Sequence, residues 1–386
     1  MYASPSTALL AELIGFSTVS RTSNLALIDH VQGLMEAHGI ACTRVTSEDG
    51  TRSNLFASTG PSGVPGVMLS GHTDVVPTEG QAWSSPPFVA RTADGRIYGR
   101  GSADMKGFVA CAVQAMVAAS ALPLKQPLQL ALSYDEEIGC VGVRRLIELL
   151  AASPVRPRLC IVGEPTSMQI ATGHKGKLAL RAVCCGREGH SALAPQALNA
   201  IHLAADFINA LRDTQHALAT DGARDEAYDV PYSTVHVGTV QGGTALNIVP
   251  NRCTLDFEIR HLQQDDPAAL LAGLVGQADA IGRRERARFP ESAIDIETVN
   301  AYPGLDLPAT ADAVGFLESL LPAGTGTTKV AFGTEAGLFT RALATPVVVC
   351  GPGSMDQGHK PDEYVELAQM QACDAFLDRL SRALCA

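Results

Sequence analysis

Residues 128–139 read LQLALSYDEEIG. The first five, apolar but for Gln129, have the length and character of a buried strand. Three acids in a row, Asp135, Glu136 and Glu137, then stand where that strand ends. A carboxylate taken out of water is costly unless something positive lies beside it. The stretch itself contains no Lys or Arg. Its surroundings must therefore supply the positive charge.

Similar strands lie on both sides of it in sequence. GVMLSGHTD (66–74) and RLCIVGEP (158–165) are apolar runs that also end in polar residues, and strands are expected near 41–47 and at 54–59. Helical periodicity fills the gaps, at 24–38 with Gly39 as its stop, at 104–120 and at 141–152. Residues 1–20 read as an amphipathic helix with Leu9, Leu10, Leu13 and Ile14 on one face. They lack the basic start of a signal peptide and contain Glu12. Strands alternating with helices, several of them apolar throughout, predict an α/β sheet covered on both faces.

Near residue 178 the pattern changes. A strand at 178–186, a helix at 196–213, strands at 233–240 and 252–260, a helix at 267–284 and a strand at 292–299 follow. That β-α-β-β-α-β order suits a ferredoxin-like unit of ~110 residues. The α/β style then returns with a helix at 309–321, the strand TPVVVCGPG (345–353) and a helix at 364–384. One α/β domain with a second domain inserted in it is expected, bounded as 1–177 with 292–386, and 178–291. The longest linker-like stretch, DVVPTEGQAWSSPPF (74–88), has the length and Pro/Gly content of a functional loop.

Composition narrows the function. The chain has 386 residues, is 46% hydrophobic and 18% charged, and carries a net charge of −11. Such a chain builds a large core. Its acidity argues against nucleic acid and anionic membrane surfaces as partners, and no apolar run reaches the ~18 residues of a membrane span. The ten Cys include no CxxC pair, which suggests reduced thiols and a cytoplasmic location.

Polar residues recur in one context, just after an apolar strand or where a helix begins. They are His72 and Asp74, Asp104, Glu136 and Glu137, Glu164, and His359. In an open α/β sheet the carboxyl ends of the strands line one crevice, the usual place for a ligand. Singly, each has an ordinary explanation; Asp104, for example, could cap the helix at 104–120. Together they form the imidazole and carboxylate set that a divalent cation takes. A cation would supply the charge missing around the three acids. Of two adjacent Glu, one could bind it while the other acts as a base.

SGHTDVVP, GRGSADMKG, SYDEEIG, VGEPT, GREGHSA, FGTEAG and GPGSMDQGHKPDEYV, in that order, resemble the M20 family of di-zinc amidohydrolases and peptidases over about residues 7–384. The resemblance implies a zinc-peptidase-like catalytic domain, with a mixed central sheet flanked by helices, and an inserted ferredoxin-like α+β lid and dimerisation domain. It implies two Zn2+ per subunit, with Co2+ as a substitute. His72 and Glu164 would bind one ion, Glu137 and His359 the other, and Asp104 would bridge them. Asp74 would orient the His72 imidazole and Glu136 would be the general base. His190 would reach the active site of the other subunit of a homodimer, and Asn247 and Arg260 would contact the substrate carboxylate. The implied reaction is hydrolysis of an N-acyl-L-amino acid amide. N2-acetyl-L-ornithine, a substrate of arginine biosynthesis, is the first choice. Succinyl-diaminopimelate, aminoacylase and dipeptidase substrates are the alternatives. Glu335 is a candidate for the substrate's free amine, or else a support for its own loop or a metal ligand.

Overall fold

The computed structural model describes residues 4–386; the first three residues of the expected N-terminal helix lie outside them. The chain divides into two compact units. One takes in the chain up to Gly173, Leu305–Lys329 and Thr334–Ala386; the other is His174–Gly304 with Val330–Gly333.

The first unit is built on a mixed sheet whose centre is parallel. Leu128–Ser133, Val67–His72, Leu159–Val162 and Val347–Val349 lie side by side in that order. Their register decides which residues meet. His72 pairs with Ser133, and Ser70 pairs with Val162, so Glu164, two residues on, stands level with His72. Antiparallel strands such as Ser53–Thr59 and Ile170–His174 extend the sheet outward.

Lys106–Ala119 is the central helix. Its sequence, KGFVACAVQAMVAA, has no charged residue after Lys106, and it is buried on nearly every side. It packs against the sheet and against the helices Pro5–Ile14 and Leu367–Ala383. Lys106 is buried as well. Its ammonium donates to the carbonyls of Leu13 (3.1 Å) and Phe16 (2.7 Å) at the carboxyl end of the first helix, where a cation is favoured. Gly163 makes the close approach to this helix possible. A Cβ there would stand 1.9 Å from Cγ of Phe108.

The second unit has its own four-stranded antiparallel sheet, ordered Thr234–Gly242, Arg252–His261, Gly176–Cys185, Ala293–Tyr302. Burial alternates along Gly176–Cys185, the mark of a sheet with one covered face. Cys184 is buried and Cys185 is not, as their adjacent positions on a strand require. The helices Ala200–Asp221 and Pro267–Glu285 supply the cover. Each starts at a side-chain cap, Asn199 or Asp266.

The boundary expected at 291/292 is corrected by this sheet. Ala293–Tyr302 pairs with Gly176–Cys185 along its whole length, so the second unit runs on to Gly304. The upstream boundary falls at 173/174, four residues before the expected one. The sequence also missed the short helix Ala336–Leu343 and the strand Ile170–His174. Both are too short for a periodicity to declare itself. Among the described residues no helix is long and apolar enough to cross a membrane.

Gly163→Ala is expected to destabilise the protein by about 1–3 kcal/mol through overpacking against Phe108. Phe108→Leu in the same chain should recover part of the loss. Urea unfolding of both variants checks this, and a single variant with the wild-type midpoint would contradict the packing.

Candidate metal centre

The parallel strands bring the expected residues of the first unit together. His72 ends its strand, and Glu136, Glu137 and Glu164 lie just past the ends of the strands on either side. Asp104 precedes the central helix. Its carboxylate does not cap that helix, whose N-cap is Met105, with no side-chain cap bond. The Asp104–Met105 peptide is cis. His359 comes from the loop after Val347–Val349, with its backbone in the left-handed region at φ 60°.

Asp104 is the centre of the cluster. Its Oδ1 lies 3.1 Å from His72 Nε2, and its Oδ2 lies 3.1 Å from His359 Nε2. His72 Nε2 is also 3.9 Å from Glu164 Oε1, and His359 Nε2 is 3.0 Å from Glu137 Oε2. Two groups of donor atoms, His72–Glu136–Glu164 and His72–Asp104–Glu137, each lie within 4.8 Å of one another. Glu136 is therefore near enough to be a ligand, but it has no imidazole within ion-pair distance, unlike Glu137. Instead its Oε1 accepts a hydrogen bond from the Cys140 thiol at 3.2 Å.

Burial governs how these groups titrate. It pushes Glu136 up to about 8 against the pull of His72, with Glu137 adding to the rise. It pushes Glu137 up to about 7, helped by Asp104, and raises Glu164 well above the usual carboxylate range. Asp104 moves the other way. Burial opposes its ionisation, but hydrogen bonds from His359 and His72 outweigh it. Those bonds act on the imidazoles in turn. Asp104 and Glu137 raise His359 to about 10, and His72 is raised against its burial by Asp104 and Glu164.

The donor set fits a divalent cation. The four carboxylates of Asp104, Glu136, Glu137 and Glu164 share a cluster with only two imidazoles, which is too little positive charge for all of them to ionise. Oε1 of Glu137 is buried with no hydrogen-bond partner, a costly state for a carboxylate oxygen that a cation would relieve.

Of the three acids at residues 135–137, Asp135 finds its partners apart from the other two. Asp135, at φ 54°, turns away from the cluster, pairs with the Arg52 guanidinium and accepts the Arg21 N–H at 2.6 Å. The expectation that a cation serves the whole run is therefore corrected for Asp135, which has Arg52 instead. Arg52 is the residue the sequence could not supply, since it lies 83 positions away.

Asp74 also differs from expectation. Its backbone carbonyl, and not its carboxylate, takes the His72 Nδ1 bond, at 2.8 Å; the carboxylate is 3.7 Å away. The carboxylate accepts from Ser20 Oγ (2.7 Å) and from the backbone N–H groups of Glu136 (3.0 Å) and Glu137 (3.3 Å). It thus orients the two glutamates directly. Glu335 is corrected more strongly. It is 1% exposed, with its oxygens on Ser133 and on Ser70. Burial beneath the strand ends takes it out of the set that could meet a substrate amine. Cys140 was also missed, although it stands only four residues after Glu136.

His190, Asn247 and Arg260 belong to the second unit. His190 is exposed and pairs with Ile248, and the Ser191 N–H donates to the Asn247 carbonyl at 3.0 Å, so His190 and Asn247 are neighbours. His190 Nδ1 accepts the Ala192 N–H at 3.1 Å, which puts the ring proton on Nε2. Arg260 is already engaged, by Glu258 at 3.0 Å and the Tyr302 hydroxyl at 3.1 Å.

Residues 68–383 match the family model described as Peptidase family M20/M25/M40. An acetylornithine deacetylase of Myxococcus xanthus is 35% identical over 384 residues, 98% of this chain and 97% of that one. Two solved structures share the fold. The M20 family metallo-carboxypeptidase Sso-CP2 of Sulfolobus solfataricus has a TM-score of 0.80 at 17% identity, covering 99% of both chains. The YXEP protein of Bacillus subtilis, described as a dinuclear metal binding peptidase, has a TM-score of 0.69 at 14% identity, covering 97% of both. The chain belongs to peptidase family M20/M25/M40, a family of hydrolases.

Proposed function

We propose that this chain is a zinc-dependent amidohydrolase that cleaves N2-acetyl-L-ornithine to L-ornithine and acetate, a step of arginine biosynthesis. The observation that carries the reaction type is Asp104, whose two oxygens each address a different imidazole. A carboxylate so placed is suited to bridge two ions. His72 and Glu164 would hold one, and Glu137 and His359 the other. The substrate is chosen for the 35% identity to the Myxococcus deacetylase over nearly the full length of both chains.

Ions held there would supply polarisation of the acyl carbonyl and a lowered pKa for a water. Glu136, paired with no imidazole and ionised once cations offset the charge of the cluster, would take a proton from the attacking water and pass it to the departing amine nitrogen. The Cys140 thiol holds one of its oxygens, and Asp74 fixes its backbone. The Nε2–H of His190, with Asn247 beside it, would donate to the oxyanion of a neighbouring subunit in a homodimer. Arg260 would take the substrate α-carboxylate in exchange for Glu258, as a guanidinium fork is suited to do. All ten cysteines are free, which suits the reducing cytoplasm, where we place the protein.

A panel of N-acyl amino acids assayed with Zn2+ or Co2+ tests the substrate. N2-acetyl-L-ornithine should give the highest kcat/KM. A higher value for succinyl-diaminopimelate would replace the assignment with a desuccinylase.

The roles of the acids separate by metal content. Glu136→Ala should lower kcat by roughly 10²–10⁴ and still carry zinc, whereas His72→Ala and Asp104→Ala should lose metal. Elemental analysis decides. Zinc missing from Glu136→Ala but retained in His72→Ala would reverse the roles.

Complementation tests the shared site. His190→Ala and Glu136→Ala homodimers should each be nearly inactive. Mixed dimers, isolated through two different tags, should regain up to half of wild-type activity through one intact site. Mixed dimers no more active than their parents would place His190 in its own subunit's site or outside catalysis.

A further inference from the structure

Glu363 stands four residues beyond His359, and its side chain is 1% exposed. A carboxylate at that depth needs donors on both oxygens, and Glu363 has them. Oε2 accepts from the Arg100 guanidinium at 2.6 Å and from the Gly101 N–H at 3.1 Å. Oε1 accepts from the N–H groups of Ala103 at 2.9 Å and of Asp104 itself at 3.1 Å. One side chain from the His359 loop thus gathers the loop that presents Asp104.

Arg100 closes the connection from the other side. It is also 1% exposed, and it donates to the Lys360 carbonyl at 3.3 Å and to Gln81 Oε1 at 2.5 Å. Gln81 Nε2 in turn donates to the carbonyl of His359 at 2.9 Å. That carbonyl belongs to a residue at φ 60°, a conformation that is strained for a residue other than glycine and persists only where its surroundings hold it.

We infer that Glu363 and Arg100 form a latch that fixes Asp104 relative to His359, and that they are positioning residues for the bridged metal pair. The inference rests on the two-metal reading above. An ion pair serving stability alone would need no bond to the Asp104 N–H and no link to the His359 carbonyl, yet this pair has both. Groups that hold ligands in place set metal affinity as well as geometry.

The test uses full-length protein stripped of metal and titrated with Zn2+ against a chromophoric chelator. The visible absorption of the Co2+-loaded protein is recorded alongside. Glu363→Gln turns an amide N–H2 toward groups that are themselves donors. It should bind one of the two ions about 10–100-fold less tightly than wild type and shift the Co2+ absorption. Gln81→Ala, at the more exposed end of the latch, should change both readouts in the same direction by less. If Glu363→Gln fails to fold, Gln81→Ala decides alone. Wild-type affinity and an unchanged Co2+ spectrum in the folded variants would overturn the latch, even with a lowered Tm. A wild type that binds no Zn2+ would overturn the two-metal reading and the latch with it. A wild type that binds two ions but leaves N2-acetyl-L-ornithine intact, with affinity lost in the variants, would sink the substrate assignment only and support the latch.

Discussion

Asp104 lies between His72 and His359 with one oxygen 3.1 Å from each imidazole, and much of the first unit serves to keep it there. The parallel strands deliver His72 and Glu164 at one level because their register is fixed by backbone pairing. The central helix begins two residues after Asp104, and a helix buried on nearly every side has no freedom to shift without opening cavities. Gly163 sets how closely that helix approaches the strand leading to Glu164.

The acids of this region fall into two kinds according to what they bind. Asp104, Glu137 and Glu164 face imidazoles across the cluster. Asp74, Asp135 and Glu363 are turned to backbone N–H groups, and the last two also to an arginine. A carboxylate that accepts backbone N–H bonds fixes the chain that carries its neighbours, which makes it a support for a charged site and not a member of it. The opening run of acids shows both kinds in adjacent residues. Asp135 goes to Arg52, while Glu136 and Glu137 turn to the cluster, and the left-handed backbone at Asp135 accomplishes the change of direction.

The second unit has a separate core, formed between its sheet and its two long helices. It can therefore hold His190, Asn247 and Arg260 in defined local geometry without help from the first. The bond from Ala192 N–H to His190 Nδ1 selects the tautomer with its proton on Nε2, so the backbone of this unit prepares a donor.

How far the sequence alone reached can be judged residue by residue. It determined the elements whose period is long enough to read, such as the central helix and the strand at 128–133, and the broad order of the two units. It also singled out His72, Asp74, Asp104, Glu136, Glu137, Glu164 and His359, because polar residues just after apolar strands or where a helix begins stand out against their surroundings. The tertiary structure decided the end of the second unit, since the strand Ala293–Tyr302 is assigned by the strand it pairs with and not by its own residues. It alone decided what the supporting groups do. Arg52 meets Asp135 from 83 positions away and Arg100 meets Glu363 from 263, and Glu335 is buried on serines from two separate strands. A side chain's type and local spacing are written in the sequence, but whether a charge finds water, a backbone N–H or an opposite charge depends on which distant segment folds against it.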